Sequence, residues 1–278
     1  MRVPLYKCVP SPIPGLPPGT SWHAAEMPGK EPSQRAILLG ASNVRGSLPL
    51  ILGLLRGRAG GPVEALAACG HGRSYGAWSR FLGVRRLPGI AGCGLWRDLG
   101  RRSPLPTFAL VTDVGNDLIY GAGVERIAGW VEACLDRLAS QRAEIVIIPL
   151  PLARLERLSG WQVRLAGSLL FPGREAPWPA LLDRARELDE RLRRMGRERG
   201  ARLIEPEADW YGLDPIHLRR RVRREVWTRA ISPGAGVHVP AGPRIPLLGA
   251  AETRLFGLPI RRVQPALRLG DGTTVAFY

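Results

Sequence analysis

The clearest structural signal lies in the stretch Arg35-Ala-Ile-Leu-Leu-Gly-Ala-Ser-Asn-Val-Arg-Gly-Ser47. Residues 36–39 form a short apolar run, which has the length of a strand buried on both faces. Residues 40–43 interrupt that run, and the apolar residues 48–55 indicate the body of a helix. Open α/β sheets bind ligands at such strand-to-helix junctions. Ser42 lies there, at the positive end of the helix dipole, so it is a candidate nucleophile; an ordinary helix cap is the alternative.

The alternation of apolar runs and helical patterns continues along the chain. Further short apolar runs predict strands at 63–69, 108–113, 144–149 and 201–205. Apolar residues at helical spacing predict amphipathic helices within 124–138 and 181–192. Because strands alternate with helices, the sequence predicts a parallel sheet covered by helices on both faces.

The proline and glycine content divides the chain into three parts. Residues 1–34 form an irregular N-terminal tail, and residues 35–231 hold the α/β domain. Residues 232–278 form a Pro/Gly-rich extension, in which alternating apolar residues around Gly270-Asp-Gly272 predict a terminal β-hairpin. Such a hairpin could cover a sheet edge, shape a pocket or pair with another subunit, and the oligomeric state is left open.

The chain has a net charge of +16, and a high positive charge is common among nucleic-acid-binding proteins. Here, however, the positive charge is almost entirely arginine scattered along the chain, since Lys7 and Lys30 are the only lysines. The densest cluster, residues 219–224, fits a solvated helix face as well as an anion contact. With aromatic residues at only 6% of the chain, the composition does not favour a nucleic-acid partner.

The cysteines and the N-terminus indicate the compartment. Cys8, Cys69, Cys93 and Cys134 lie far apart without a CxxC pair, which favours reduced thiols over a zinc site or a disulfide framework. The N-terminus lacks the apolar region of a secretory signal, and no apolar run is long enough to span a membrane. We therefore expect a cytoplasmic protein with no transmembrane segment.

Groups that can perform acyl transfer follow several of the predicted strands. Ser42 follows the first strand, a loop at 70–76 with three glycines follows the second, and Asn116 follows the third. Asp214 and His217 come after the fifth strand, spaced so that the carboxylate can orient the imidazole. All these strand ends meet at one edge of a parallel sheet. We expect the Ser42 N–H, a glycine N–H and the Asn116 amide to stabilise an oxyanion.

The residues at these strand ends resemble those of a known enzyme family. Gly40-Ala-Ser42, Gly72-Arg-Ser74, Gly115-Asn-Asp117 and Asp214-Pro-Ile-His217 are similar, in order and spacing, to the blocks of the SGNH (GDSL-type) hydrolases. The resemblance covers residues 35–225. It implies a flavodoxin-like three-layer α/β/α fold with a parallel five-stranded sheet. It also implies hydrolysis of acyl or acetyl esters with no metal and no cofactor.

Carried over by position, the resemblance implies a role for each matching residue. Ser42 is the nucleophile, His217 the general base and Asp214 the residue that orients the histidine. Gly72 and Asn116 complete the oxyanion hole.

This sequence departs from the family pattern in three places. Ala41 stands where the family usually has aspartate, so the polar contacts beside Ser42 differ. The second block lacks its usual asparagine, which leaves Gly70 as an alternative to Gly72. About sixty residues follow His217, whereas the family histidine usually lies near the end of the chain.

The sequence thus predicts a serine esterase acting on a small-molecule, carbohydrate or lipid ester. The alternatives are a catalytically silent SGNH-fold binding or scaffold protein, or an arginine-rich protein that binds nucleic acid or an anionic surface. His71 could touch substrate or make a structural hydrogen bond. Asp113 and Asp117 could form an acid–base pair, but we expect Asp117 to brace its own turn.

Overall fold

The computed structural model describes residues 30–81, 84–163, 178–232, 242–245 and 249–278. Within them the strands are β1 (Gln34–Leu39), β2 (Val63–Ala68), β3 (Ser79–Phe81), β4 (Arg85–Leu87), β5 (Thr107–Val111), β6 (Glu144–Ile147), β7 (Arg202–Leu203), β8 (Glu252–Leu255), β9 (Leu258–Arg261), β10 (Leu267–Arg268) and β11 (Thr274–Phe277). The helices are α1 (Ser42–Ala59), α2 (Leu95–Leu99), α3 (Asn116–Ile119), α4 (Val124–Ser140), α5 (Leu152–Leu155), α6 (Trp178–Glu198) and α7 (Arg223–Ile231). Short 3₁₀ turns cover Ile90–Gly92 and Ala208–Trp210.

The central sheet contains all five strands that the sequence predicts. They are β2, β1, β5, β6 and β7 in spatial order, and every neighbouring pair is parallel. Numbered along the chain, that order is 2-1-3-4-5, the flavodoxin-like order, so this part of the fold prediction is confirmed.

The prediction of five strands is wrong for the sheet as a whole, because seven described strands belong to it. The two additional strands come from the Pro/Gly-rich extension: β11 pairs parallel to β2, and β10 pairs antiparallel to β11. Together β10 and β11 form a hairpin around residues 269–273. It lies at the edge of the sheet beside β2.

Helices cover both faces of the sheet, which gives the predicted three layers. On β1, Ile37 and Leu39 face a core shared with α4 and α6, while Ala36 and Leu38 face a core shared with α1 and α7. The burial of β1 on both faces explains its unbroken apolar run. The carboxyl ends of the parallel strands then open onto the start of α1 and α3.

A second, smaller sheet is a feature that the sequence pattern did not reveal. Its antiparallel order is β3-β4-β8-β9, so it joins a weakly patterned stretch near residue 80 to the C-terminal extension. Short strands with exposed residues carry little periodicity, and pairing between segments this far apart leaves no local signal.

Other sequence predictions concern thiols, membrane spans and the tail. Cys69, Cys93 and Cys134 are buried free thiols. None of the helices in the described segments has the length and apolarity needed to cross a membrane. Cys8 and almost all of the predicted N-terminal tail lie outside the described residues.

Candidate active site

Ser42 is the first residue of α1, at the carboxyl end of β1. Its Oγ lies 2.7 Å from Nε2 of His217. The cap position belongs to Ala41, which makes no side-chain cap hydrogen bond. The alternative interpretation of Ser42 as an ordinary helix cap is therefore wrong. The helix start leaves the hydroxyl at the positive end of the dipole, facing the imidazole.

Asp214 and His217 form a short turn after β7. Oδ2 of Asp214 lies 2.5 Å from Nδ1 of His217, and Oδ1 accepts a hydrogen bond from the N–H of Ile216 at 3.1 Å. A carboxylate at Nδ1 holds the proton on that nitrogen, so Nε2 is left as the acceptor for the Ser42 hydroxyl. The structure thus brings the predicted Ser42, His217 and Asp214 into one chain of hydrogen bonds.

The electrostatics of this chain favour an imidazole that accepts a proton. The hydrogen bond to Asp214 raises the pKa of His217 above its usual value, against the opposing effect of burial. Burial raises the pKa of Asp214, but the hydrogen bond and the charge interaction with His217, together with the backbone hydrogen bonds from Ile216 and His217, outweigh burial, so the net pKa is lowered. Both side chains are about two-fifths exposed, at 40% and 46%, so water screens part of this interaction.

Asp113 and Asn43 tie α1 to the turn that carries His217, a role that the sequence did not reveal for either residue. Asp113 follows β5, and its Oδ2 accepts the backbone N–H groups of Ala41 at 2.7 Å and Asn43 at 3.2 Å. The Asn43 side chain donates to Oδ1 of Asp113 at 2.8 Å and to the carbonyl of Ile216 at 2.9 Å. It also accepts the N–H of Leu218 at 2.9 Å. The sequence does carry one signal that could have pointed to this role, the polar side chain of Asn43 directly after Ser42.

Asn116 and the glycine loop after β2 lie together. The Asn116 amide donates to the carbonyl of Arg73 at 3.3 Å, and the Tyr120 hydroxyl donates to the carbonyl of Gly72 at 2.6 Å. Gly72 has a left-handed φ of 64°, which favours glycine. Gly70 is packed tightly, since a Cβ there would lie 2.4 Å from the Leu87 side chain.

Asp117 braces the glycine loop and not its own turn, so that expectation is wrong. Its carboxylate accepts the Ser74 hydroxyl and, at 2.7 Å, the N–H of Tyr75. Asp117 is 1% exposed, and burial raises its pKa. Asp113 and Asp117 bind different partners, so they do not form an acid–base pair with each other.

Arg73 is a second feature that the sequence did not predict. Its side chain is fully buried, and the guanidinium donates to the carbonyl of Pro88 and to the backbone oxygen of Tyr278. Burial lowers the pKa of Arg73. The arginine thereby fastens the loop that carries Gly72 to the residue after β11. The C-terminal extension contributes in this way to the shape of the site.

An apolar cleft begins at Ser42 and Asn116 and runs between α3, α6 and the segment after β6. It encloses about 890 Å³ of empty space, its open mouth included. Its apolar walls include Leu118, Ile119, Leu150, Leu155, Leu181 and Leu182. Within the described segments, no group of three or more His, Cys, Asp or Glu side chains is placed to hold a metal ion. Because its walls are apolar, the cleft can accept an apolar group next to Ser42.

Other candidate residues lie around the site. His71 lies on the glycine loop, where partial desolvation of the imidazole, together with the charges of Arg85 and Arg45, lowers its pKa. In the basic cluster, Arg223 extends from α7 towards the carbonyls of Leu218 and Gly46, at 3.3 and 3.4 Å.

The fold and the site together define an α/β/α chain with a Ser-His-Asp hydrogen-bond chain at the carboxyl edge of its sheet. Solved structures of several esterases are similar to it. One is a psychrotrophic esterase from Pseudoalteromonas sp., at 12% identity and a TM-score of 0.45, covering 72% of this chain and 96% of that one. Another is an aryl esterase of M. Smegmatis, at 14% identity and a TM-score of 0.46, with coverages of 70% and 95%.

A third is a lipolytic protein of the G-D-S-L family from Veillonella parvula, at 15% identity and a TM-score of 0.44, covering 72% of this chain and 98% of that one. No protein-family model matches the sequence, and no curated protein is significantly similar to it. These likenesses are distant, so the chemistry rests on the geometry of the site itself.

Proposed function

We propose that this protein is a serine hydrolase that cleaves carboxylic esters through an acyl-enzyme. The observation that carries the proposal is the hydrogen-bonded chain from Ser42 through His217 to Asp214, at the mouth of an apolar cleft. A hydroxyl with an acceptor imidazole, itself oriented by a carboxylate, is the arrangement that activates a serine.

The reaction follows from the positions of these three side chains. Oγ of Ser42 attacks the ester carbonyl carbon while Nε2 of His217 takes the hydroxyl proton. The carboxylate of Asp214 stabilises the imidazolium that results. As the tetrahedral intermediate collapses, the carbon–oxygen bond to the alcohol breaks and His217 returns the proton to the leaving oxygen. Water, deprotonated by His217, then attacks the acyl-enzyme and releases the carboxylic acid, which restores Ser42.

The negative charge of the tetrahedral intermediate needs donors beside Ser42. We assign this role to the N–H of Ser42, the N–H of Gly72 and the side-chain amide of Asn116. The hydrogen bond from Asn116 to Arg73 supports the assignment, because it uses one amide proton and fixes the direction of the other.

The cleft indicates the kind of ester. Burial of apolar surface contributes about 25 cal/mol per Å², so each added methylene that enters the cleft strengthens binding by up to about 0.8 kcal/mol. We therefore propose an ester with an apolar group of several carbons over an acetyl ester. A bulky residue in the cleft wall, Leu181→Trp, is expected to reduce kcat/KM for octanoate more than for acetate.

The test is hydrolysis of p-nitrophenyl acetate, butyrate and octanoate by the wild type, Ser42→Ala and Ser140→Ala. Ser140 is an exposed serine at the end of α4 and serves as the matched control. We expect the Ser42 variant to lose activity, the Ser140 variant to keep it, and kcat/KM to rise with chain length. Activity that survives in Ser42→Ala contradicts the proposal.

The two alternatives make different predictions, one for ester hydrolysis and the other for nucleic-acid binding. A silent scaffold gives no turnover with any ester although the protein is folded. A nucleic-acid-binding protein gives affinity for DNA or RNA that falls steeply with salt. Against the latter, many arginines are neutralised within the structure, among them Arg191 by Glu125 and Arg199 by Asp136.

A further inference from the structure

We propose that Asp113 and Asn43 form a clamp that positions both Ser42 and His217 for catalysis. The inference rests on the proposed function, because it assigns a role in that reaction. The family resembled by this chain usually has an aspartate at position 41, where this chain has alanine. In this chain the carboxylate of Asp113, which follows β5, accepts the N–H groups on both sides of Ser42.

The first half of the clamp fixes the serine. One carboxylate oxygen of Asp113 accepts the N–H groups of Ala41 and Asn43, the two residues that flank Ser42. Peptide groups on both sides of Ser42 are thus held against β5. These bonds also satisfy N–H groups at the start of α1, which have no partner within the helix.

The second half fixes the histidine. The amide nitrogen of Asn43 donates to the carbonyl of Ile216, and its oxygen accepts the N–H of Leu218. Ile216 and Leu218 flank His217. The remaining hydrogen bond of the amide runs to Asp113. The immediate neighbours of both reacting side chains are therefore tied to two side chains that bond to each other.

The clamp is maintained at an energetic cost, which is a reason to ascribe a function to it. Asp113 has a left-handed φ of 58°, a conformation that is strained for a non-glycine residue. Burial raises the pKa of its carboxyl, although the hydrogen bonds from Asn43 and Ala41 oppose that effect. Strained and desolvated residues of this kind cluster at functional sites.

Asp113 and Asn43 are positioning residues, because the hydrogen bonds described here join them to neighbours of Ser42 and His217 and not to the reacting atoms. A displacement of about 1 Å between nucleophile and base costs about 10²-fold in rate. Asn43 and Asp113 also lie at the start of the cleft, but its apolar walls are formed by other side chains, among them Leu118 and Leu181. Disturbing the clamp should therefore lower kcat and leave KM nearly unchanged.

The hydrogen-bond directions allow a sharp test by exchange. In Asp113→Asn, the new amide donor opposes the donor of Asn43, so the isosteric change breaks the pairing. In Asn43→Asp, two carboxylates oppose each other. In the double variant, the new amide at position 113 can donate to the new carboxylate at position 43, so a donor again faces an acceptor. Its recovery is partial, because the carbonyl of Ile216 still lacks its donor.

The experiment measures kcat and KM for p-nitrophenyl butyrate at pH 8, with melting temperatures, for the wild type, both single variants and the double variant. Glu64→Gln is the matched control: Glu64 is a partly buried carboxylate with two arginine partners near the amino end of β2. We expect each single variant to lose about 10²-fold in kcat with KM within about threefold. The double variant should regain at least tenfold, and the control should keep its kcat.

Three results overturn the clamp: single variants that keep kcat within threefold, a loss that appears in KM instead, or a double variant no better than the singles. If either single variant fails to fold, Asn43→Ser replaces it, because the shorter side chain cannot bridge Ile216 and Leu218. An inactive wild type refutes the proposed function instead, so the two failures are distinguishable.

Discussion

Replacing Asp117 with alanine should destabilise the protein and slow it at the same time. The carboxylate accepts hydrogen bonds from Ser74 and Tyr75, which are fully buried. Each stranded buried donor costs about 1–3 kcal/mol, so two cost about 2–6 kcal/mol. Removing a carboxylate whose pKa burial has raised returns part of that energy. We therefore expect a loss of about 2–4 kcal/mol, which leaves a protein of ordinary stability folded.

The assay is urea denaturation of the wild type, Asp117→Ala and the surface control Asp183→Ala, combined with ester hydrolysis. Asp183 is 70% exposed, so its removal should change the unfolding free energy by less than about 0.5 kcal/mol. Because Ser74 and Tyr75 follow Gly72, a loosened loop should also lower kcat by at least about tenfold. An unfolding free energy within 1 kcal/mol of the wild type refutes the role given to this carboxylate.

Three further predictions concern other parts of the molecule. Gly76→Ala should lower the melting temperature by several degrees, because its Cβ would lie 1.9 Å from the Trp130 ring; an unchanged value contradicts the packing. Since Asp214 raises the pKa of His217, kcat/KM should rise through a midpoint above 6.5, and Asp214→Asn should move that midpoint down and lower kcat. Burial raises the pKa of Cys69 to about 11, so mass spectrometry should find it unmodified by maleimide at pH 7 in native protein.

The sequence predicts those strands and helices that show a local pattern of apolar residues. Ala36 to Leu39 are buried on both faces of the sheet, so β1 appears as an unbroken apolar run. The candidate site residues at the strand ends could also be predicted from the sequence, because the topology of a parallel sheet brings Ser42 and His217 to one edge. The hydrogen bond between them follows from that topology and from the short Asp214–His217 spacing.

The remaining features depend on contacts between distant segments. No local sequence pattern indicates that β11 pairs with β2, or that the Arg73 side chain contacts Tyr278. Asp117 was expected to brace its own turn, since aspartate often does so, but its partners belong to another loop. In the sequence Asn43 belongs to the residues that interrupt the first apolar run, and its hydrogen bonds to the turn around His217 arise only when the chain is folded.

The most direct test of the account is the site of covalent labelling by a fluorophosphonate. Its phosphorus reacts with an activated serine and leaves an adduct that peptide mass spectrometry can locate. The account predicts labelling at Ser42 in the wild type and none at that peptide in Ser42→Ala. Folded wild-type protein that remains unlabelled, or that is labelled at another serine, contradicts the assignment of Ser42 as the nucleophile.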